Sequence, residues 1–224
     1  MASLDIFCGT AWSSIVIPVQ LQPEPSDFNQ KVRIKGLAFL KQEPHPKVWK
    51  NRDYWTAAIN DLCSAYNRIC AYSAQWIPPA QGTPTIDHFI PKSVAPNQAY
   101  EWSNYRLSCQ LLNSRKWTFQ DVLDPFIIQP GWFVLDFPSL HIKPGSSLDD
   151  HIRQKVISTI NRLKLNDEDS CIQSRESWLF PFCQGQYPFS FLKGKALFIA
   201  YELERQNLVD NISSMYPIKL DKFL

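Results

Sequence analysis

Between residues 54 and 69 the apolar side chains of Tyr54, Trp55, Ala58, Ile59, Leu62, Cys63, Tyr66 and Ile69 recur at steps of three and four. That spacing lines up one face of an α-helix and predicts a strong helix there, with Asp53 placed to cap its N-terminus. Upstream, residues 1–48 read as short strands and extended pieces. Residues 14–21 are β-branched and apolar, residues 32–40 alternate in part, and Pro23, Pro25, Pro44 and Pro46 punctuate them. Residues 70–118 alternate short extended runs with turns and close in a polar helical stretch around Asn113 and Lys116. Residues 126–137 are apolar and read as extended. Residues 148–165 carry Leu148, Ile152, Val156, Ile160 and Leu163 on one helical face, with Ser147 and Asp150 fitting an N-terminal cap. Asn166 followed by Asp167, Glu168 and Asp169 reads as the acidic first turn of a further helix. Residues 191–209 read as the last long helix, despite Gly194. The chain therefore divides into an N-terminal extended and basic segment (1–48), a central helix and motif region (49–125) and a helical C-terminal part (126–224).

Composition sharpens this only in places. With 45% apolar and 20% charged residues the chain has the make-up of a soluble globular protein. Seventeen prolines against seven glycines favour fixed bends over flexible linkers. The net charge of +2 is uninformative, but Lys31, Arg33, Lys35, Lys41, Lys47, Lys50 and Arg52 are offset by Glu43 alone. Such a stretch fits a phosphate backbone, and fits a solvated basic surface equally well. The six cysteines follow no regular spacing, which points to reduced thiols in the cytoplasm. No Lys or Arg precedes Lys31, so the start lacks the basic region of a secretory signal. No apolar run approaches the ~20 residues of a spanning helix. The expectation is a soluble cytoplasmic protein with no membrane contact.

The stretch richest in chemistry reads Thr85-Ile-Asp-His-Phe-Ile-Pro-Lys-Ser93, then Glu101-Trp-Ser-Asn-Tyr-Arg-Leu-Ser-Cys109, then Asn113-Ser-Arg-Lys116. Phosphodiester hydrolysis needs a base that deprotonates water and a divalent cation that offsets charge on the phosphate. Asp87 offers a carboxylate suited to Mg²⁺ or Mn²⁺. His88 offers an imidazole that is neutral near pH 7. Asn113 offers an amide oxygen as a second metal ligand, and Asn104 a group to orient the base. Each alone is weak, since an Asp-His pair is usually structural; order and spacing together carry the argument.

In Ile86–Ser93, Trp102-Ser103-Asn104, Leu107-Ser108-Cys109 and Asn113–Lys116 the chain resembles the HNH endonuclease family, over residues 68–118. The resemblance implies an α+β fold: a ββα-metal HNH core embedded in a mainly helical domain with short N-terminal strands. It implies one divalent cation at the active site (Mg²⁺ or Mn²⁺, with Zn²⁺ or Ni²⁺ as alternatives) held by Asp87 and Asn113. His88 is then the general base, and Asn104 positions its loop. Many relatives carry two CxxC pairs around a structural zinc. Here they read Cys70-Ala-Tyr-Ser73 and Cys109-Gln-Leu-Leu112. Two thiolates cannot complete a tetrahedral site, so structural zinc is not expected and Cys70 and Cys109 are expected to pack as small apolar groups. Within the family the arrangement resembles the HNH nucleases of bacterial anti-phage defence systems of the Septu type, including retron-associated ones. That implies a partner ATPase or other defence-system protein.

Lys92, Arg106, Arg115 and Lys116 are the expected nucleic-acid-binding residues, with Lys50 adding charge. Trp102 and Tyr105 suit either a sugar or base contact or the core. The functional expectation is a metal-dependent endonuclease cutting double- or single-stranded DNA. An RNA-directed nuclease or toxin, and a partner-gated nucleic-acid-binding module, are the alternatives.

Overall fold

The computed structural model describes residues 19–80 and 82–216; most of the extended run expected at 14–21 lies outside the described residues. Among those described, the fold is α+β, with seven α-helices and two small antiparallel sheets.

Phe28, Val32, Gly36 and Phe39 are buried at steps of four, four and three, while Ile34 and Leu37 stay exposed. That is helical spacing, and the chain obeys it: a wide turn over Asn29–Arg33 runs into α1 (Ile34–Gln42). The extended reading of residues 32–40 is thereby corrected. Partial alternation there mixed buried positions with solvent-facing Ile34 and Leu37. Gly36 lets the Tyr100 ring lie against α1, where an added Cβ would sit 2.1 Å from a ring carbon.

The apolar stripe of 54–69 starts as a tight turn over Tyr54–Ala58 and becomes α2 (Ile59–Ala65). It stops short because Asn67 and Arg68 adopt positive φ and turn the chain into a narrow loop. There Cys70 N–H donates to Gln75 O at 2.9 Å and Ile69 bridges Trp76. Tyr66 and Ile69 are buried all the same, placed by the turn rather than by the helix. The Asp53 side chain makes no capping bond; its carbonyl accepts from the Thr56 N–H and hydroxyl instead.

Next come β1 (Pro84–His88) and β2 (Tyr105–Cys109), antiparallel, with Asp87 opposite Arg106 and His88 opposite Tyr105. α3 (Gln110–Lys116) follows β2 without a linker, Cys109 serving as its N-cap residue. The result is a β–β–α unit whose first strand is buried on both faces at its end.

In the C-terminal part the expected extended run of 126–137 contains only β3 (Phe133–Asp136), which pairs with β4 (His141–Pro144). α4 (Asp150–Leu163) is capped by Asp149, whose carboxylate accepts the Ile152 N–H at 2.9 Å, rather than by Ser147 or Asp150. The acidic Glu168–Ile172 turn leads into α5 (Gln173–Cys183), as the charge pattern predicted. The single helix expected over 191–209 is two, α6 (Phe189–Lys195) and α7 (Leu197–Arg205). Ala196 breaks them by pairing with Gln75, with Trp76 N–H bonded to Lys195 O and Leu197 N–H to Ala74 O. A tertiary contact, not Gly194, ends the helix. One cluster of buried apolar side chains runs from Val19 to Ile212 through these elements, and no helix among the described residues is long and apolar enough to cross a membrane.

Candidate active site at the end of β1

Alternation along β1 sends Asp87 and His88 to opposite faces, and each face is closed by a different part of the chain. On the Asp87 side lies α3. Lys116 Nζ reaches Asp87 Oδ1 at 3.0 Å and also donates to the carbonyls of His88 and Phe89, at 3.2 and 3.1 Å. The Tyr72 hydroxyl, from the loop after α2, donates to Asp87 Oδ2. Lys116 is fully buried and Asp87 is 2% exposed. Burial pushes the Asp87 carboxyl up, the Lys116 charge and the hydrogen bonds pull it down, and the net direction is up. Burial, together with the neighbouring Asp87 carboxylate, drives the Tyr72 phenol well above its usual range, so it remains a donor.

On the other face His88 sits edge-on to Trp55, with ring centroids 4.8 Å apart, and to Tyr105, at 5.3 Å. Its Nε2 lies 2.9 Å from Ala99 O, a carbonyl that also accepts the Tyr105 hydroxyl. A carbonyl only accepts, so the imidazole proton belongs on Nε2 and the basic lone pair on Nδ1. Burial, then the nearby Lys92 charge, lowers the His88 pKa to about 3.

Asn104 locks the chain that leaves β1. Its Oδ1 accepts the Ile90 N–H at 2.8 Å, and its Nδ2 donates to the carbonyls of Ile90 and Gln98 at 3.0 and 3.1 Å. It holds backbone, and the imidazole itself is oriented by Ala99. Asn113, one turn into α3, donates from Nδ2 to Thr85 Oγ1 at 3.0 Å and Ile86 O at 3.4 Å.

The expected phosphate-binding cations have mostly found other partners. Arg106 is 4% exposed, makes a two-pronged ion pair with Asp124 and lies over the Phe126 ring. Arg115 serves the end of α4, donating to the carbonyls of Leu163 and Lys164, and it pairs with Asp167. Lys116 is the buried partner of Asp87. Three of the four expected cations thus act in the structure as internal ties, because β2 and α3 turn them inward. Lys92 keeps partial exposure, as Arg115 does, but leans on an aromatic ring, its ammonium 5.0 Å from the centre of the Trp55 ring. Trp102 and Tyr105 belong to the core. In the basic stretch, Lys31 pairs with Asp27 and Asp61 and Arg33 with Glu24 and Glu101, while Lys35, Lys41, Lys47 and Lys50 face solvent.

Sequence reasoning missed Tyr72 as a partner of Asp87, although its place between Cys70 and Ser73 put it beside the motif. It also read Trp55 only as a helix stripe residue. The Ala99 carbonyl has no side-chain signature at all.

A divalent cation fits the donor chemistry here. Asn113 Oδ1 has no protein partner among the described residues, and a carboxylate has lone pairs to spare beyond the bonds from Lys116 and Tyr72. Hard oxygen donors of this kind suit Mg²⁺ or Mn²⁺, with water and phosphate filling the remaining positions. No group of three or more His, Cys, Asp or Glu converges among the described residues.

No family model matches the chain. A Septu protein PtuB from Bacillus thuringiensis is 30% identical over 128 residues, 57% of this chain and 47% of the relative. The chain thus spans about half the length of the curated relative it matches.

Proposed function

We propose that the protein is a metal-dependent HNH-type endonuclease that hydrolyses phosphodiester bonds in DNA and serves in bacterial anti-phage defence. The observation that carries the reading is the tautomer of His88. Its Nε2–H is pinned to Ala99 O, leaving Nδ1 as the base, on the residue next to a carboxylate and across β1 from Asn113. Similarity to the Septu protein supports the defence context.

In this reading His88 Nδ1 takes the proton from the attacking water, and Ala99 and Asn104 hold the imidazole and its loop while it does so. Asp87 and Asn113 would hold the divalent cation, which supplies charge stabilisation on the phosphate and leaving oxygen. Tyr72 and Lys116 fix the Asp87 carboxylate. The low proton affinity of His88 keeps it unprotonated near pH 7. A phosphate arriving beside it raises that affinity toward what proton abstraction needs.

Burial of Asp87 and His88, at 2% and 8% exposure, favours a gated form of the same reading. Substrate or a defence-system partner such as an ATPase opens the face over His88 before water and phosphate enter.

Plasmid and single-stranded DNA cleavage by wild type and His88→Ala, with Mg²⁺, Mn²⁺ or EDTA and an RNA of the same sequence alongside, tests this. Metal-dependent DNA cutting that the variant lacks is the expected result. Cutting retained by His88→Ala removes the assigned base, and cutting confined to RNA removes the DNA assignment.

A further inference from the structure

Cys70 and Cys109 come from separate segments, the loop after α2 and the junction of β2 with α3. The Cys70 sulfur accepts the Cys109 N–H at 3.4 Å, and its thiol donates to the Ser108 hydroxyl at 3.9 Å. The two thiol groups interact directly, each shifting the other's proton affinity. Cys70 is 1% exposed, whereas Cys109 keeps partial exposure, so the pair is reachable from one side. Burial alone would push the Cys70 thiol up, but hydrogen bonds from Cys109 and Ser73 outweigh it and hold it below its ordinary value. The bond to Cys70, and then burial, push Cys109 up. A sheltered thiol beside one that opens to solvent is the arrangement a dithiol needs for a two-electron oxidation.

We infer that Cys70 and Cys109 form a redox-active dithiol that reacts with a hydroperoxide and closes to a disulfide. The Cys70 sulfur bonds one peroxide oxygen as the O–O bond breaks, and the departing hydroxide leaves as water with a proton. The Cys109 sulfur then attacks the Cys70 sulfenic acid. The S–S bond forms, the S–O bond breaks, and the Cys109 thiol proton leaves with the hydroxide as a second water. Two electrons pass from the thiols to the peroxide. The crosslink ties the loop carrying Tyr72 to the start of the helix carrying Lys116. These are the two side chains that donate to Asp87, so oxidation stiffens that site from both sides.

The test needs no substrate. The reduced full chain is titrated with hydrogen peroxide, free thiols are alkylated, and peptides are mapped by mass. The expected product is a Cys70–Cys109 crosslink about 2 Da lighter than the paired thiol peptides. It should come with a rise in melting temperature of roughly 5–10 °C that dithiothreitol reverses. Cys70→Ser and Cys109→Ser should each abolish both signals. Two alkylated thiols after peroxide, a crosslink mapping to another pair, or accumulation of sulfinic acid at either position overturns the inference.

Discussion

Replacing Lys116 with Met keeps most of the side-chain volume and removes the charge, which separates the two roles this residue has been given. As a surface phosphate ligand it would matter little to folding, since exposed ion pairs contribute about 0–1 kcal/mol. The structure instead shows it fully buried, with Asp87 at 2% exposure and three hydrogen bonds from one ammonium at 3.0, 3.2 and 3.1 Å. Removing one partner of such a pair strands a buried carboxylate and costs about 3–5 kcal/mol. That is a large part of the ~5–15 kcal/mol by which domains are stable. Asp87→Asn alone strands the ammonium, though the His88 and Phe89 carbonyls still accept from it. The double variant removes both charges, so it should recover much of the loss. Urea unfolding of wild type, both singles and the double gives the cycle. The expected coupling is at least ~2 kcal/mol, with unchanged m-values. A Lys116→Met cost under about 1 kcal/mol, or additivity of the two singles, would refute the buried-pair reasoning. The double variant keeps the test decisive if a single fails to fold.

Three other outcomes follow from named contacts. Asn104→Ala removes three hydrogen bonds of 2.8–3.1 Å and should cost about 2–4 kcal/mol in urea unfolding; a loss below ~0.5 kcal/mol would mean the loop is held elsewhere. Gly36→Ala should gain ~1 kcal/mol of helix propensity. It should nonetheless destabilise by about 1–3 kcal/mol net, because the new Cβ meets a Tyr100 ring anchored by its hydroxyl bond to Arg52 O at 2.8 Å; a higher melting temperature would contradict the packing. In EDTA, the unfolded chain protonates His88 near pH 6.5 while the folded site holds out to about 3. Stability should therefore fall as pH drops through that window, by roughly 3–5 kcal/mol in all. His88→Gln should flatten that part of the pH–stability curve, and identical curves for the two proteins would dismiss the shift.

What could be read from the chain depended on the range of the interactions involved. The short extended runs that close in a helix around Asn113, the amphipathic α4 and the acidic entry to α5 follow from local pattern, and the structure has them. The failures lie where a distant segment decided. Residues 32–40 are helical with the Tyr100 ring packed against Gly36 on their buried face, which partial alternation does not report. Ala196 broke the expected terminal helix to pair with Gln75, far away in sequence. At α4 the competition was among three neighbouring candidates, and Asp149 won because its backbone is extended while Asp150 is already helical.

Side-chain roles divide along the same line. Asp87, His88, Asn104 and Asn113 were singled out by type and order; the structure puts Asp87 and His88 on opposite faces of the end of β1, ties Asn104 to the loop that leaves it, and bonds Asn113 to Thr85 and Ile86. The cations could not be sorted that way. A basic residue near a motif reads as a phosphate ligand only until its counter-charge is known, and here the counter-charges come from afar. Asp124 meets Arg106 across 18 residues and Asp87 meets Lys116 across 29. With those pairs made, Lys92, itself leaning on Trp55, is the cation beside His88 that has no ion pair among the described residues. Such a site has little electrostatic pull of its own on a phosphate backbone. Under the proposed function, substrate is then held by charges further out, among them Lys35, Lys41, Lys47 and Lys50 on the exposed basic stretch, or delivered by a partner. Neutralising those four lysines together separates the two routes. If the stretch carries the nucleic acid, the quadruple variant loses DNA affinity and the salt dependence of binding becomes shallower by up to ~4 counterions; if delivery is by a partner, neither changes.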